Sequence, residues 1–300
     1  MNENCKKLPK TKLTKILIIV LVLLLLISLG FNIFPALLNN ISYLQKPYEI
    51  YIMEAGILKN NLSFEEGEDI TISYDFTHGD YAQLISKYGI DTIAGEGTEL
   101  ERAMRLMDEY APRLTHKSDY DNSIEMRALP LLEHSLDNKS KGINCRSKAQ
   151  ILNEMCLALG IYSRKVWIMP NSPYDGDCHV VNEIWDSSLN KWVMLDITNN
   201  QYWIDEFGTP LSVLEIREKG AMQEFCTPVQ PGDNMDNPEK LKNKYAHNFI
   251  YIMKNMAYTE YLDYSGVSEN ANIWLLFPEN LDTNYDKIIS LESVIKSPVE

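Results

Sequence analysis

The chain has 300 residues, 45% of them hydrophobic and 23% charged, which is enough for one large domain or two small ones. Its formal net charge of -14 argues against a nucleic-acid-binding protein, which would need a basic surface. The five cysteines form no C-x-x-C pair, which argues against a zinc site, and their odd number argues against a pure disulfide framework. Pairing of Cys178 with Cys226 stays open.

The N-terminal region combines a basic arm with an apolar run. Residues 1–15 contain five lysines against one glutamate. Residues 16–34 are almost entirely apolar and, as a helix, would span roughly 28 Å, close to the thickness of a bilayer's hydrocarbon layer. We therefore predict a transmembrane helix over residues 16–38. The alternative is a cleaved signal peptide, but no A-x-A cleavage pattern follows the run. The lysines predict a single-pass protein of the cell membrane, with residues 1–15 cytoplasmic and the remainder outside.

The next part of the chain, residues 39–97, is predicted to be a tether and the N-terminal part of the outer domain. Alternation of polar and apolar residues predicts a strand at 69–76, and residues 80–88 are predicted to form a short helix. Thr98 and Glu101 have the spacing of a capping box, so a further helix is predicted to start there.

Two regions remain, a predicted catalytic core at 98–207 and a C-terminal extension at 208–300. The core is predicted to contain, in chain order, helices at 123–136 and 145–160 and strands at 162–169, 178–185 and 191–197. The extension is predicted to contain a helix at 213–219 and strands at 248–254 and 273–277. Whether the extension adds to the sheet, forms a lid or makes an accessory domain stays open.

Cys145 lies at the start of a predicted helix whose buried stripe continues through Ala149, Leu152, Cys156 and Leu159. The stripe places Cys145 in the first turn, facing inward. A helix N-terminus carries a partial positive charge and free N–H groups, and both favour a thiolate. Cys145 is therefore a candidate nucleophile, whereas Cys156, in mid-helix, is predicted to pack in the core.

His179 opens one predicted strand and Asp196 closes the next. If the hairpin loop is centred on Ser187 and Ser188, the numbers of cross-strand partners add to 375, and the Cβ atoms of His179 and Asp196 lie roughly 4.5–5.5 Å apart. Asp196 would then accept the imidazole N–H while the other ring nitrogen faces Cys145, which is the arrangement of acyl-transfer enzymes. Taken singly, each of these three residue types at such a position is more often structural.

Five motifs follow one another between residues 98 and 204. In chain order they are Gly142-x-x-Cys145, Ala158-Leu-Gly-Ile161, Arg164-Lys-Val166, His179-x-x-x-Glu183 and Trp192-x-x-Leu-Asp196. Their order and spacing resemble the transglutaminase-like superfamily, whose fold is related to papain-type cysteine proteases, and in particular its bacterial membrane-anchored members. The resemblance implies an α+β fold in which a helix carrying the cysteine packs on an antiparallel sheet carrying the histidine and aspartate, here preceded by one transmembrane helix.

The resemblance also implies roles for the three residues. Cys145 would be the nucleophile, His179 the general base and acid, and Asp196 the group that orients the imidazole. Two positions depart from the family, because Val181 stands where an aromatic residue is common and Ile197 where proline is common. Neither change removes a catalytic atom, but Val181 weakens any inference about the substrate.

The sequence thus predicts a membrane-anchored, extracytoplasmic thiol enzyme of the bacterial cell envelope that acts on amide bonds through a thioester. Hydrolysis, deamidation and cross-linking stay open. The alternative is a non-catalytic envelope module for binding or assembly. Predicted partners are a protein or peptide substrate, including cell-wall peptide, and the membrane, with no nucleic acid, cofactor or metal; the oligomeric state stays open. Arg164 and Glu183 are predicted to be structural.

Overall fold

The computed structural model describes residues 15, 18–28, 47–172, 175–267, 270–281 and 285–298. The chain divides into two units, Met1–Glu49 and Ile50–Glu300. In the first unit, residues 18–28 are helical. The second unit contains a seven-stranded sheet and the helices that pack on it.

The transmembrane helix predicted over residues 16–38 is wrong. Within the residues that the structure describes, no helix combines the length and the apolar character needed to cross a membrane. The helical residues 18–28 extend only about 16 Å, against ~30 Å for a hydrocarbon layer; residues 16–17 and 29–38 lie outside the described part. The single-pass topology and the cell-membrane location depended on that helix, so both predictions are wrong as well.

From Pro47 onward the helices are short to medium in length. We number the α-helices in chain order as α1 Pro47–Lys59, α2 Tyr81–Tyr88, α3 Ile90–Ala94, α4 Glu99–Tyr110, α5 Ala128–Ser135, α6 Cys145–Ala158, α7 Val213–Met222, α8 Pro238–Lys244, α9 Ala246–Lys254 and α10 Leu291–Ile295. Helix α1 lies within the segment predicted to be a tether. The capping box predicted at the start of α4 is confirmed, since Thr98 and Glu101 bond reciprocally to each other's backbone N–H groups.

The strands are β1 Ser73–Tyr74, β2 Ser163–Met169, β3 His179–Asp186, β4 Lys191–Asp196, β5 Gln201–Asp205, β6 Cys226–Val229, β7 Tyr258–Leu262, β8 Tyr264–Ser265 and β9 Ile273–Leu276. The main sheet has the order β6-β5-β4-β3-β2-β7-β9, with every neighbouring pair antiparallel. Strands β1 and β8 form a separate parallel pair. The residues after 208 therefore extend the sheet at both of its edges.

Both faces of the sheet are covered by helices. Successive residues of β4 point to opposite faces, so that Val193 and Leu195 join a core with helices α2 to α6, whereas Met194 joins a core with α1, α7 and α9. The predicted strand at 248–254 is wrong, because these residues form α9. Its buried residues Phe249, Ile252 and Met253 have the three- and four-residue spacing of a helix face.

Candidate active site

Cys145 is the first residue of α6 and is partly buried. Asn144 is the N-cap residue, and its side-chain oxygen accepts the backbone N–H of Ser147 at 3.0 Å. The cap fixes where the helix starts, so the sulfur lies at the positive end of the helix dipole.

His179 and Asp196 meet where β3 begins and β4 ends. The Nε2 atom of His179 lies 2.9 Å from Oδ2 of Asp196, and the two residues are only 2% and 1% exposed. A carboxylate only accepts hydrogen bonds, so Nε2 carries the proton in this bond. That leaves Nδ1 for the sulfur of Cys145, with which the His179 side chain also forms a hydrogen bond.

The hairpin register that we predicted is wrong by two residues. Asn182 lies opposite Leu195 and Asp186 opposite Lys191, and the same register continued by one residue would place Asp196 opposite Val181. His179 and Asp196 are therefore diagonal neighbours on one face, at a spacing that an imidazole ring can bridge. A shift of two residues keeps both side chains on the same face, which is why the contact survives the error.

The loop between β3 and β4 explains the register. Oδ1 of Asp186 accepts the backbone N–H groups of Ser188 and Leu189, both at 3.0 Å, and Asn190 adopts a left-handed backbone with φ of 52°. Asp and Asn favour such local turns. The loop is therefore centred on Ser188 and Leu189, one residue later than predicted.

The Asp196 carboxylate accepts four hydrogen bonds. Besides His179, it accepts the backbone N–H groups of Thr198 at 2.9 Å and Asn199 at 3.3 Å, and the side-chain amide of Asn199 at 2.7 Å. Burial alone would raise the pKa of Asp196, but the charge and the hydrogen bond of His179, together with the bonds from Asn199, hold it below the ordinary value. The aspartate is therefore ionised and held in place on both oxygens.

The same neighbours favour an ion pair between Cys145 and His179. Burial opposes a thiolate, yet the hydrogen bond and charge of His179 and the backbone N–H of Val180 lower the pKa of Cys145 overall. Burial also opposes an imidazolium, but the carboxylate of Asp196 outweighs it and raises the pKa of His179. The arrangement can hold a nucleophilic thiolate beside a charged proton donor.

The model of the transglutaminase-like superfamily matches residues 86–197. These residues form a transglutaminase-like domain. Cys145, His179 and Asp196 all lie inside the matched range, with Asp196 next to its end.

Two solved structures are similar to the chain at low identity. A "putative cysteine protease" from Cytophaga hutchinsonii is 14% identical with a TM-score of 0.33, and the match covers 52% of each chain. A "putative protease" from Parabacteroides distasonis is 16% identical with a TM-score of 0.27, over 53% of this chain and 30% of the other. The chain thus matches at most about half of either protein, and with TM-scores below 0.5 nothing functional follows from the likeness. No curated protein matches the chain.

Four further functional candidates surround Cys145, His179 and Asp196 and were not predicted from the sequence. Asn199 binds Asp196, Tyr251 of α9 packs edge-on against the His179 ring with centroids 5.5 Å apart, and Lys148 and His116 interact electrostatically with Asp196. The sequence did contain a signal for Lys148, because it follows the cysteine by three residues on the predicted helix. Tyr251 had none, because it lies far away in the sequence and on a segment predicted to be a strand.

The three other cysteines that the structure describes differ from Cys145. Cys156 and Cys226 are buried and free, and burial raises the pKa of each thiol to about 12. Cys178 is free and partly buried, and burial likewise raises its pKa. Cys178 and Cys226 therefore do not form the disulfide that the sequence left open.

Arg164 and Glu183, predicted to be structural, form a buried ion pair at 2.7 Å. They lie on the wall of a cavity of about 610 Å³ that neither Cys145, His179 nor Asp196 lines. Among the described residues, no group of three or more histidine, cysteine or acidic side chains is placed to hold a metal ion.

Proposed function

We propose that the chain is a thiol enzyme that acts on amide bonds of proteins or peptides, with Cys145 as nucleophile, His179 as general acid and base, and Asp196 as the group that orients the imidazole. The observation that carries the proposal is the buried 2.9 Å contact between His179 Nε2 and Asp196 Oδ2. It directs Nδ1 toward a cysteine at a helix start whose pKa is lowered by that same imidazole.

The proposed reaction has two stages. The Cys145 thiolate attacks the carbonyl carbon of a carboxamide or peptide bond, and the C–N bond breaks as His179 Nδ1–H protonates the departing nitrogen, which leaves a thioester on the sulfur. In the second stage, neutral His179 removes a proton from water or from an amine. The resulting nucleophile displaces the thiolate and forms a carboxylate or a new amide.

One backbone N–H group supports stabilisation of the oxyanion. The N–H of Cys145 lies in the first turn of α6, where the helix itself provides no acceptor, so it is available to a developing negative charge. Water is the default acceptor for the thioester, and hydrolysis or deamidation is therefore the outcome that we favour over cross-linking.

The proposal is tested with the full-length chain and a library of glutamine-containing peptides, with and without a primary amine, followed by mass spectrometry. Peptide cleavage, a gain of about 1 Da from deamidation, or a mass gain equal to the amine less ammonia would each identify one chemistry. We expect one of these products, its loss in Cys145→Ala, and a rate reduced by roughly 10³-fold or more in His179→Ala.

Cys178→Ala is the matched control, since it removes a neighbouring thiol whose pKa is raised rather than lowered. We expect this variant to keep the wild-type rate. Product formation that persists in Cys145→Ala, or that depends equally on Cys178, would overturn the proposed role of Cys145.

A further inference from the structure

Lys148 is a buried lysine close to the proposed nucleophile. It follows Cys145 by three residues on α6, and residues at this spacing share one face of a helix. Its exposed fraction is 1%. Lysine is almost never fully buried unless its charge is compensated, so the site must offer negative charge to the ammonium group.

That negative charge comes from two sides. Asp196, at the end of β4, and the sulfur of Cys145 both interact electrostatically with Lys148 and favour its charged form. His116, whose backbone pairs with that of Ile143, faces Lys148 and His179. Burial and the charges of these two residues lower the pKa of His116, so its imidazole is neutral at pH 7.

Two further titratable groups that face the sulfur are neutral at pH 7. Tyr251 of α9 faces Cys145 and Asp196, and burial raises the pKa of its hydroxyl. Cys178, just before β3, faces Cys145, and its thiol pKa is raised as well. Neither group contributes charge near neutrality.

The charges of the three proposed catalytic groups do not cancel. A thiolate at Cys145, an imidazolium at His179 and a carboxylate at Asp196 leave one excess negative charge in a buried site, which is costly unless it is compensated. The ammonium of Lys148 supplies the missing positive charge and makes the set of four groups neutral.

We propose that Lys148 is a positioning residue that compensates this excess charge and thereby keeps Cys145 in the reactive thiolate form. The inference rests on the proposed function. Burial lowers the pKa of Lys148 itself to about 8, so its charge is in place at neutral pH and is lost as the pH rises above that value.

The experiment measures the alkylation rate of Cys145 by iodoacetamide from pH 4 to 10 in the full-length chain. Trypsin cuts after Lys141 and Arg146, so the peptide 142–146 carries Cys145 alone and is the same in wild type and in all Lys148 variants. Its alkylated fraction, followed by mass spectrometry, gives the apparent pKa of this one thiol.

Removal of the positive charge in Lys148→Met should raise the apparent pKa of Cys145 by about one to two units, which corresponds to roughly a 10- to 100-fold lower alkylation rate well below that pKa. Lys148→Arg retains the charge and should stay within about half a unit of wild type. Lys148→Gln provides a second neutral variant if the methionine variant does not fold, as judged by circular dichroism.

Lys165→Met is the matched control. Lys165 is also buried, and burial lowers its pKa to about 8, but its charged neighbours are Arg146 and Glu154 rather than Cys145. It should leave the Cys145 titration unchanged. An unchanged titration in both neutral Lys148 variants, or an equal shift in Lys165→Met, would overturn the inference and leave the proposed function standing.

Failure of the proposed function gives a different result. In that case Cys145 of the wild type itself would titrate at or above the ordinary thiol value of about 8.5. This outcome would overturn both the function and the role of Lys148.

Discussion

Arg164 holds together parts of the chain that are far apart in sequence. Its guanidinium donates to Oε2 of Glu183 at 2.7 and 3.0 Å and to the carbonyl oxygen of Val294 at 2.7 Å, and it lies over the Trp192 ring with 3.9 Å to the centroid. The other oxygen of Glu183 accepts the backbone N–H of Val213 at the start of α7. One buried pair thus joins β2, β3, α7 and α10.

We predict that Arg164→Met lowers the free energy of unfolding by about 3–5 kcal/mol, because it leaves the Glu183 carboxylate buried without its counter-charge. Urea denaturation followed by circular dichroism measures the change. The double variant Arg164→Met with Glu183→Leu should recover much of the loss, since neither charge then remains buried.

Arg113→Met is the control for this prediction. Arg113 makes equally short ion pairs with Glu109 and Asp137, but its side chain is 34% exposed and that of Asp137 is 58% exposed. Its loss should cost less than about 1 kcal/mol. Similar losses for the two arginine variants would contradict the argument from burial.

Helix α6 carries a second polar cluster around Gln150 and Glu154. Oε1 of Glu154 accepts the side-chain amide of Gln150 at 2.6 Å and the backbone N–H of Ala128 at 2.9 Å. Lys165 of β2 donates to the side-chain oxygen of Gln150. Burial raises the pKa of Glu154 to about 7, so the cluster ties α6 to α5 and β2 with a carboxyl group that is protonated in the folded state at mildly acid pH.

We predict that Glu154→Gln is more stable than wild type at pH 8 and differs little from it at pH 5. Between the unfolded pKa of about 4.5 and the folded value near 7, the folded state holds a proton that the unfolded state has lost, so this carboxyl group's contribution to stability falls as the pH rises through that window. The gain at pH 8 should reach at most about 3 kcal/mol.

Urea denaturation at the two pH values measures this difference. Glu133→Gln is the control, because the Glu133 side chain is 52% exposed in its pair with Lys87. The Glu133 variant should show the same stability change at both pH values. If Glu154→Gln also changed the stability by the same amount at both pH values, the prediction would be refuted.

Local patterns explain which elements were predictable. Helix α6 has a continuous apolar stripe, and β3 and β4 are apolar strands joined by a short polar loop, so all three were found within two residues of their ends. The hairpin register was missed because the position of the turn sets it. The Asp186 carboxylate fixes that position by accepting the backbone N–H groups of Ser188 and Leu189, and the apolar pattern of the strands does not indicate it. Helix α9 was missed because a short apolar run fits either a strand or a helix.

The site was predictable only as far as its residues lie in local motifs. Cys145, His179 and Asp196 each occupy the end of a recognisable element, and the expectation that their side chains meet agrees with the observed contacts. Asn199 and Lys148 lie within a few residues of these three, yet their orientation depends on the tertiary structure. Tyr251 reaches His179 only through packing of α9 on the sheet, which no local pattern reports.

At the level of the whole molecule, the sheet does not end where the family match ends. Residues after 207 provide β6 at one edge and β7 and β9 at the other, and they contribute Ile216, Phe249 and Tyr261 to the second core. The region predicted as the catalytic core would, by itself, expose both edges of its sheet and one apolar face.

We predict that a chain ending at Phe207 does not fold cooperatively, because it lacks the four strands β6 to β9 and the four helices α7 to α10. Its urea transition, followed by circular dichroism, should be broad or absent, and it should bind a hydrophobic dye. A chain that lacks only residues 299–300 is the control and should unfold like the full chain. A sharp transition for residues 1–207 at the full-length midpoint would contradict this view.

The two strands that pair with the two edges of β2 are synthesised at different times. On one side β2 pairs with β3, a near neighbour, whereas on the other Trp167 pairs with Glu260, which the ribosome adds 93 residues later. At about 5–20 residues per second this interval lasts roughly 5–20 s. During that time the hairpin bearing His179 and Asp196 can form while the far edge of β2 stays open, so the nascent chain passes through a stage in which a chaperone or another nascent chain can pair with this strand.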